Sequence, residues 1–505
     1  MESAIWTAVG VLLTAGAAFS LSQRTVRLLR KRPDRRDEWL TKYQRWRWRH
    51  RLLLLGTYVM ALLVLGWGGA VRELWQGAGT GQWPFAEFVV LAPFLASLLL
   101  SWFCFYDADK AAHQTGQRIF GLDPLSRGWL EQQAVTHPTT EPFGDRLSYV
   151  LFHLRQKLAL VLIPLTFLLV FKEFRRLLPD VLQHWAITVN IASTIGVLAV
   201  FLSMPWFVRF ALGLRPVPAG VPRDRLMATA RRLGFRFSDI LLWPTRGAMA
   251  NAMVIGLLPW PRYVVFTDRL LDDFSAEEVE AVLGHEIGHI KHFHIPFYLI
   301  FLTTSLVLLW IGMEHLHPAI LNSPLLRQWI DFSHGQSFRY LQMLPTALLL
   351  LAYVLFVFGF ISRRCERQAD IFGCRAVSCA EFLCAGHQAD AELAVGGNRL
   401  CVSGIRTFIS ALERVAVING ISRDRPGFLQ SWQHGTIAKR VDFLQRIVRD
   451  EKVEKRFQKR LLIVKCAIVF AMILLLGLAV SGDIRQDVGA FGDHGDPGAG
   501  AVLQQ

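Results

Sequence analysis

Apolar runs and polar blocks alternate along the 505-residue chain. Crossing a bilayer takes roughly 17–25 consecutive apolar residues. Eight runs approach or reach that length: 5–21, 52–71, 85–106, 158–171, 185–214, 297–313, 344–361 and 461–481. The fourth is short, and the fifth is long enough to tilt or to kink at Pro205. Five runs fall within 1–214, a polar block covers 215–296, and a hairpin of two runs follows over 297–362. A second polar block, 363–460, leads to the last span at 461–481 and a Gly- and Asp-rich tail, 482–505. That tail has little to bury and is expected to be disordered. The pattern predicts a mainly α, polytopic membrane protein of about 7–8 transmembrane helices.

Inside the first polar block the period changes. RLGFRFSDILLW and ANAMVIGLLPWPRYVVFTDRLL read as short strands, with turn signals at Pro244 and at Pro259 to Pro261. Next comes LLDDFSAEEVEAVLGHEIGHIKHFHIP, a helix expected from about Ala276 until Pro296 perturbs it. Ser275 with Glu278 forms a capping box, and Asp272, Asp273 and Glu277 sit near the positive helix end. Val279, Val282, Leu283 and Ile290 supply the apolar face.

Composition agrees with the membrane reading: 52% of residues are hydrophobic and only 19% charged. A net charge of +15 raises nucleic acid as a partner, but the placement of the charge argues against it. Residues 24–51 hold twelve Lys/Arg against three acids. Further basic clusters follow span five (Arg215, Arg223, Arg225, Arg231, Arg232) and precede span eight (Lys452, Lys455, Arg456, Lys459, Arg460). With the N-terminus outside, eight crossings put all of them on one side, the cytoplasm by the positive-inside rule. The loop 172–183, with three basic residues, is the exception. The first run follows MESA, which has an acid and no base, so it reads as an uncleaved anchor. The membrane would be the plasma or inner membrane of a bacterium, or an endoplasmic-reticulum-type membrane in a eukaryote. Of seven cysteines, Cys104 and Cys466 lie in or near spans. Cys365, Cys374, Cys379, Cys384 and Cys401 share one cytoplasmic stretch where disulfides are not expected. Their spacing lacks a CxxC pair, which argues against a second zinc site.

Chemistry concentrates in VLGHEIGHIKH, residues 282–292. His285 and His289, four apart on a helix, project from one face about one turn apart and suit a single Zn²⁺. Glu286 is one step round and is placed as a general base. His292 lies about 10 Å along the axis from His285, too far for one ion to reach all three histidines. His292 and His294 therefore read as supporting or interfacial residues. The third ligand is sought after span seven, in SRRCERQADIFG. There Glu366 and Asp370 share a face at i, i+4: Glu366 can ligate, and Asp370 can accept from the far nitrogen of a zinc histidine. The blander alternative pairs these acids with Arg363, Arg364 or Arg367. Both segments emerge at the cytoplasmic ends of one membrane hairpin, which would bring them together.

NAMVIG, HEIGH and ERQAD between membrane spans resemble the integral-membrane zinc metalloproteases that include the type I CaaX prenyl proteases and the HtpX-type quality-control proteases. The resemblance is specific over 225–300 and 360–446 and architectural elsewhere. It implies a cytoplasmic, gluzincin-like α+β metalloprotease domain split by the transmembrane hairpin. One catalytic zinc would be held by His285, His289 and Glu366, with Glu286 as base. It also implies that Asn251 and Ala252 belong to an edge strand pairing with substrate backbone, as an exposed edge can. Residue type alone makes Asn251 a turn residue. Such proteases commonly carry His-Pro and a later Arg near the end of the second polar block. WQHGTIAKRVDFL supplies His434 and Arg440, with Gly435 where Pro is usual. His434 would then donate to the developing oxyanion and Arg440 would orient the site.

The expected activity is zinc-dependent hydrolysis of peptide bonds, Glu286 moving the proton from water to the leaving amine. Expected substrates are membrane-associated: lipidated, CaaX-like C-termini or misfolded membrane proteins. Two rival readings remain. A transporter would place ionisable side chains near mid-membrane, whereas Arg209 and Lys465 lie towards span ends. A non-catalytic zinc-binding adaptor would have no need of Glu286.

Overall fold

The computed structural model describes residues 2–31, 35–76, 86–115, 145–158, 186–247, 249–305, 352–384, 393–419 and 432–492, with isolated residues between. The N-terminal part is helical: α1 (Glu2–Lys31), α2 (Arg36–Leu63), α3 (Trp67–Gln76), α4 (Ala86–Thr115), α5 (Arg146–His153) and α6 (Ala186–Ala211). Among the described residues, two helical stretches are long and apolar enough to cross a membrane, Glu2–Lys31 and Ala86–Ala112. Only 17% and 22% of their most apolar windows are buried against protein. Leu12 and Leu13 stand on the outside of α1 at 67% and 62% exposure, a continuous apolar face that suits lipid and not water. The expected run at 52–71 is two helices, because α2 stops at Leu63 and α3 begins at Trp67. The run at 185–214 is one helix that passes through Pro205. Residues 306–347 and most of 158–171, which include parts of the expected fourth, sixth and seventh spans, lie outside the described residues. Asp109 on α4 fastens this part together. It accepts from Tyr43 Oη and Arg47 Nη1 of α2, each at 2.6 Å, and from Tyr149 of α5.

The polar block opens with β1 (Arg215–Pro216), α7 (Val221–Arg232), β2 (Asp239–Trp243), β3 (Ala252–Ile255) and β4 (Tyr263–Thr267). They form a sheet ordered β1-β2-β4-β3. The unbroken apolar run YVVFT makes β4 the interior strand: all five of its residues are buried, parallel to β2 and antiparallel to β3. β3 is left on the outside of the sheet. Then follow α8 (Asp268–Asp273), α9 (Ala276–Lys291), a helix α10 over 294–305, α11 (Gly359–Ala376), α12 (Val402–Ile418), α13 (Ile437–Arg449) and α14 (Lys452–Gly492). Ile240, Val264 and Phe266 of the sheet, Leu283 and Ile287 of α9, and Phe372 of α11 share one core cluster.

The capping box that starts α9 is closed on both sides, Glu278 N donating to Ser275 Oγ at 3.2 Å and Ser275 N to Glu278 Oε2 at 3.0 Å. The helix ends earlier than Pro296. Phe293 takes φ +55, so the chain turns there and restarts as α10. Pro296 falls in the first turn of α10, where a missing amide costs no hydrogen bond. At the other end, α14 continues to Gly492, so 482–492 are helical and not the start of a disordered tail. Residues 493–505 lie outside the described residues.

Two glycines decide how closely α9 meets α11. A Cβ on Gly284 would stand 2.3 Å from the Ala376 Cβ, and one on Gly288 would stand 2.9 Å from the Phe372 Cβ. Without side chains there, the two helices touch almost backbone to backbone, and that contact carries Glu366 up to the histidines.

Candidate metal centre

α9 presents His285 and His289 one turn apart, and α11 presents Glu366 opposite them. The Nε2 atoms of the two histidines are 3.3 Å apart. Glu366 Oε1 is 3.6 Å from His289 Nε2, and Oε2 is 3.8 Å from His285 Nε2. Donors bonded at about 2.0–2.2 Å to one tetrahedral cation lie about 3.4 Å from each other. The three groups therefore fit one ion with shifts of a few tenths of an ångström, and two imidazoles with a carboxylate are a donor set that small divalent cations take.

Each donor is held from behind. Asp370, fully buried one turn along α11 from Glu366, has Oδ1 3.0 Å from His285 Nδ1, off the direct N–H line. Arg440 of α13 clamps Asp370 with both arms of its fork, Nε donating to Oδ2 at 2.9 Å and Nη2 to Oδ1. Burial alone would raise the Asp370 carboxyl, but Arg440 and then His285 outweigh it and hold it ionised. Burial likewise opposes charge on His285, yet the Asp370 carboxylate draws its pKa up. The His285 ring also stacks on Phe408 of α12, centroids 5.8 Å apart.

His289 is held by a longer chain. Its Nδ1 lies 3.0 Å from His294 Nδ1, and His294 Nε2 lies 3.0 Å from Gln368 Oε1. Gln368 Nε2 in turn donates to Gln458 Oε1 at 2.6 Å, and Lys465 Nζ donates to Gln368 Oε1 at 2.9 Å. One proton arrangement satisfies every link. With His289 Nδ1 donating to His294 Nδ1, His294 donates from Nε2 to the glutamine oxygen, and His289 Nε2 keeps its lone pair for a cation. Burial, then the charge of His285, lowers the His289 pKa to about 4, which favours the neutral ring. His292 stays outside this chain and packs on Phe372.

Burial would also raise Glu366. The hydrogen bond and charge of His434, with Arg440, reverse that and hold it well below the usual carboxylate range. His434 Nδ1 is 3.0 Å from Glu366 Oε1 while its ring stays 59% exposed. Its loop is tied to α11 by Arg363 Nη1, which donates to the Trp432 carbonyl at 2.6 Å. The next residue, Gly435, has φ +77, a left-handed conformation that proline's ring forbids. Glu286 behaves differently. Burial pushes its carboxyl up to about 7, against the pull of His285, while the backbone of Val254 hydrogen-bonds it.

Val254 belongs to β3, the open edge of the sheet. Thr267 N donates to Asn251 O at 3.0 Å, and Asn251 N donates to Thr267 Oγ1 at 2.9 Å. Alternation along an antiparallel strand then turns the backbone of Ala252 and Val254 outward. The expectation of backbone pairing at Asn251 is corrected accordingly: its main chain faces β4, and its exposed side chain is what it can offer a ligand. Ahead of the strand, Asn419 clasps Ala250 on both sides, Nδ2 donating to its carbonyl at 2.7 Å and Oδ1 accepting from its amide at 3.0 Å.

The structure thus brings His285, Glu286, His289, Glu366, Asp370, His434 and Arg440 to one place, with Ala252 and Val254 alongside. Sequence reasoning missed Gln368, Gln458, Lys465, Asn419 and the part played by Val254. Gln368, two residues after Glu366 in ERQAD, is the one with a local signal.

Residues 227–445 match the model of Peptidase family M48. A protease HtpX homolog of Pyrobaculum islandicum is 30% identical over 125 residues, 24% of this chain and 34% of that protein. A probable CAAX prenyl protease 1 of Schizosaccharomyces pombe is 26% identical over 198 residues, 38% of this chain and 40% of that protein. CAAX prenyl protease 1 of Saccharomyces cerevisiae is 33% identical over 107 residues, 21% and 22% of the two chains. The chain thus spans 22% to 40% of the lengths of these relatives. The crystal structure of S. mikatae Ste24p aligns with 88% of this chain and 98% of its own at 15% identity, with a TM-score of 0.46.

Proposed function

We propose that this chain, whose residues 227–445 match the model of Peptidase family M48, is a membrane-embedded, zinc-dependent endopeptidase whose site faces the cytoplasm. One observation carries the reading: two imidazole nitrogens and a carboxylate converge at 3.3–3.8 Å, with an adjacent carboxyl whose pKa is near neutrality and an open strand edge beside them. Zinc held by His285, His289 and Glu366 would supply a Lewis acid and make a coordinated water acidic near pH 7.

The remaining roles fall to the chain's own groups. Glu286, with a pKa of about 7, can take the proton of the attacking water and return it to the leaving amine. The outward amide of Ala252 and the outward carbonyls of Ala252 and Val254 hold a peptide extended by adding it to the sheet, while the Val254 amide serves Glu286. The Nδ1 of His434 is engaged by Glu366, so its Nε2 is the atom left to donate to the carbonyl oxygen as charge develops. Asp370 with Arg440 fixes the His285 ring, and His294 fixes that of His289. The exposed apolar faces of α1 and α4 support a membrane-embedded chain, and on this reading the substrate is a membrane-associated polypeptide. It is either a lipidated, CaaX-like C-terminus or a misfolded membrane protein.

The test is to incubate purified protein and its Glu286→Ala variant with a prenylated CaaX peptide, its unprenylated twin and an unfolded soluble protein, reading fragments by mass spectrometry. The native chain should cleave at least one of them in a zinc-dependent way. Glu286→Ala should lower turnover about 10²–10⁴-fold while keeping its zinc. Cleavage confined to the prenylated peptide assigns lipid-tail processing, and cleavage of the unfolded chain assigns quality control. Full activity in Glu286→Ala, or no cleavage of any of the three by zinc-loaded native protein, overturns the reading.

A further inference from the structure

We propose that Cys379, Cys384 and Cys401 form a second metal site, a structural zinc centre built on thiolates. Their sulfurs all lie within 4.8 Å of one another. Thiolates bound to a tetrahedral zinc at about 2.3 Å are about 3.8 Å apart, so an approach of about 1 Å closes the set. Three soft donors select zinc over the hard cations that carboxylates bind. Cys379 and Cys401 are 8% and 0% exposed, whereas Cys384 is half-buried, so an ion has a way in. The remaining position is left for one further donor.

The fold builds this cluster deliberately enough to be traced. After α11 ends, Cys379 pairs with Leu393 in an isolated antiparallel bridge, and Ala394 N donates to Ser378 O at 2.7 Å. Val402 N donates to Phe382 O at 2.8 Å, drawing the start of α12 against the same turn. Ser378 stands at the junction, its Oγ donating to Cys374 O at 2.7 Å and accepting from Cys401 N at 3.0 Å. Cys401 is the N-cap of α12, and its Sγ accepts from Gly404 N at 3.2 Å. That places the sulfur at the N-terminal end of a 17-residue helix, held in a fixed position. The thiols of Cys379 and Cys384 donate to the carbonyls of Glu381 and Gly386, at 3.5 and 3.1 Å, and those weak bonds are given up on metallation. The balance is simple: three S–H groups lose their protons to solvent, three S–Zn bonds form, and nothing is oxidised or reduced. Cys365 and Cys374 face apolar clusters of their own and take no part.

Such an ion would pin the 379–401 segment between α11 and α12, the helices that carry Glu366 and the Phe408 that stacks on His285. A site of three thiolates holds the chain together and does not react. The inference does not depend on the peptidase reading.

The test uses the full chain, purified in detergent with zinc present. A His285→Ala/His289→Ala variant should retain about one zinc per chain by elemental analysis, and adding Cys384→Ser should remove it. After exchange to cobalt, the same His variant should show a thiolate-to-cobalt charge-transfer band in the near ultraviolet that Cys384→Ser abolishes. In the unmutated protein, a maleimide should label Cys384 only after a chelator is added, a readout that needs no variant to fold. Immediate labelling of Cys384 in zinc-supplemented protein overturns the proposal, as does absence of the thiolate band. Labelling that requires a reductant in place of the chelator assigns a disulfide and overturns it too.

Discussion

The two donor clusters of this molecule are made in opposite ways. His285, His289 and Glu366 stand on two regular helices whose glycines let them touch, and each histidine has its own buried partner. Cys379, Cys384 and Cys401 stand in an isolated bridge, on a half-buried loop position and at a helix cap, drawn together by a few backbone hydrogen bonds. The first cluster keeps its geometry because rigid elements impose it, and it adds a carboxyl of raised pKa and an open strand edge. Among the described residues the second has neither. A site that must work on a substrate is built into the scaffold, whereas a site that only ties the chain together can be assembled by the segment it ties.

Perturbations ranked by size separate the two. Glu366→Ala should be the most severe for chemistry. It removes one ligand and leaves His434 without its partner, so the helical site should lose its zinc and activity should fall to background. Zinc at the cysteines should persist, so elemental analysis should show a drop of about one ion per chain. Loss of both ions together would mean that the clusters are not independent. Arg440→Met strips Asp370, wholly buried, of its fork partner, and an uncompensated buried charge costs about 3–5 kcal/mol. Thermal melting should fall steeply, and a melting temperature unchanged from the native one would remove this pair from the scaffold argument. His294→Ala cuts the chain behind His289. Metal affinity should weaken about 10–100-fold in a chelator competition, with turnover of the zinc-saturated protein close to native. Gly288→Ala is the mildest, at about 1–3 kcal/mol for the overpacking against Phe372. It should lower both the melting temperature and the metal affinity, because it parts α9 from α11. A change in cysteine labelling would show that the strain reaches the loop.

How much of this was legible in the sequence follows the same division. HEIGH and ERQAD could be read because a helix converts a spacing of four into a shared face, whatever the surroundings. The strands around 239–267 and the capping box were legible for the same local reason. The break at Phe293 was not, since residue type gives no hint that a phenylalanine will take φ +55, and Pro296 drew the boundary towards itself. The cysteines sit five and seventeen positions apart, spacings with no helical or strand period, so their meeting is a product of loop closure. Gln458 and Lys465 come to Gln368 from a helix about ninety residues further on, and only packing joins them. The orientation of β3 depended on Thr267 accepting from and donating to Asn251, a pairing across the sheet.

Gly435 sets a limit on repair by consensus. The proteases this chain resembles in sequence would suggest proline after His434, so a designer following that resemblance would write Gly435→Pro as a restoration. Proline holds φ near −65°, and the backbone here sits at +77. The substitution would swing the Trp432–His434 turn away from Arg363 and take His434 off the carboxylate that anchors it. The residue that would look like a defect beside such proteases is the one that makes this bend possible.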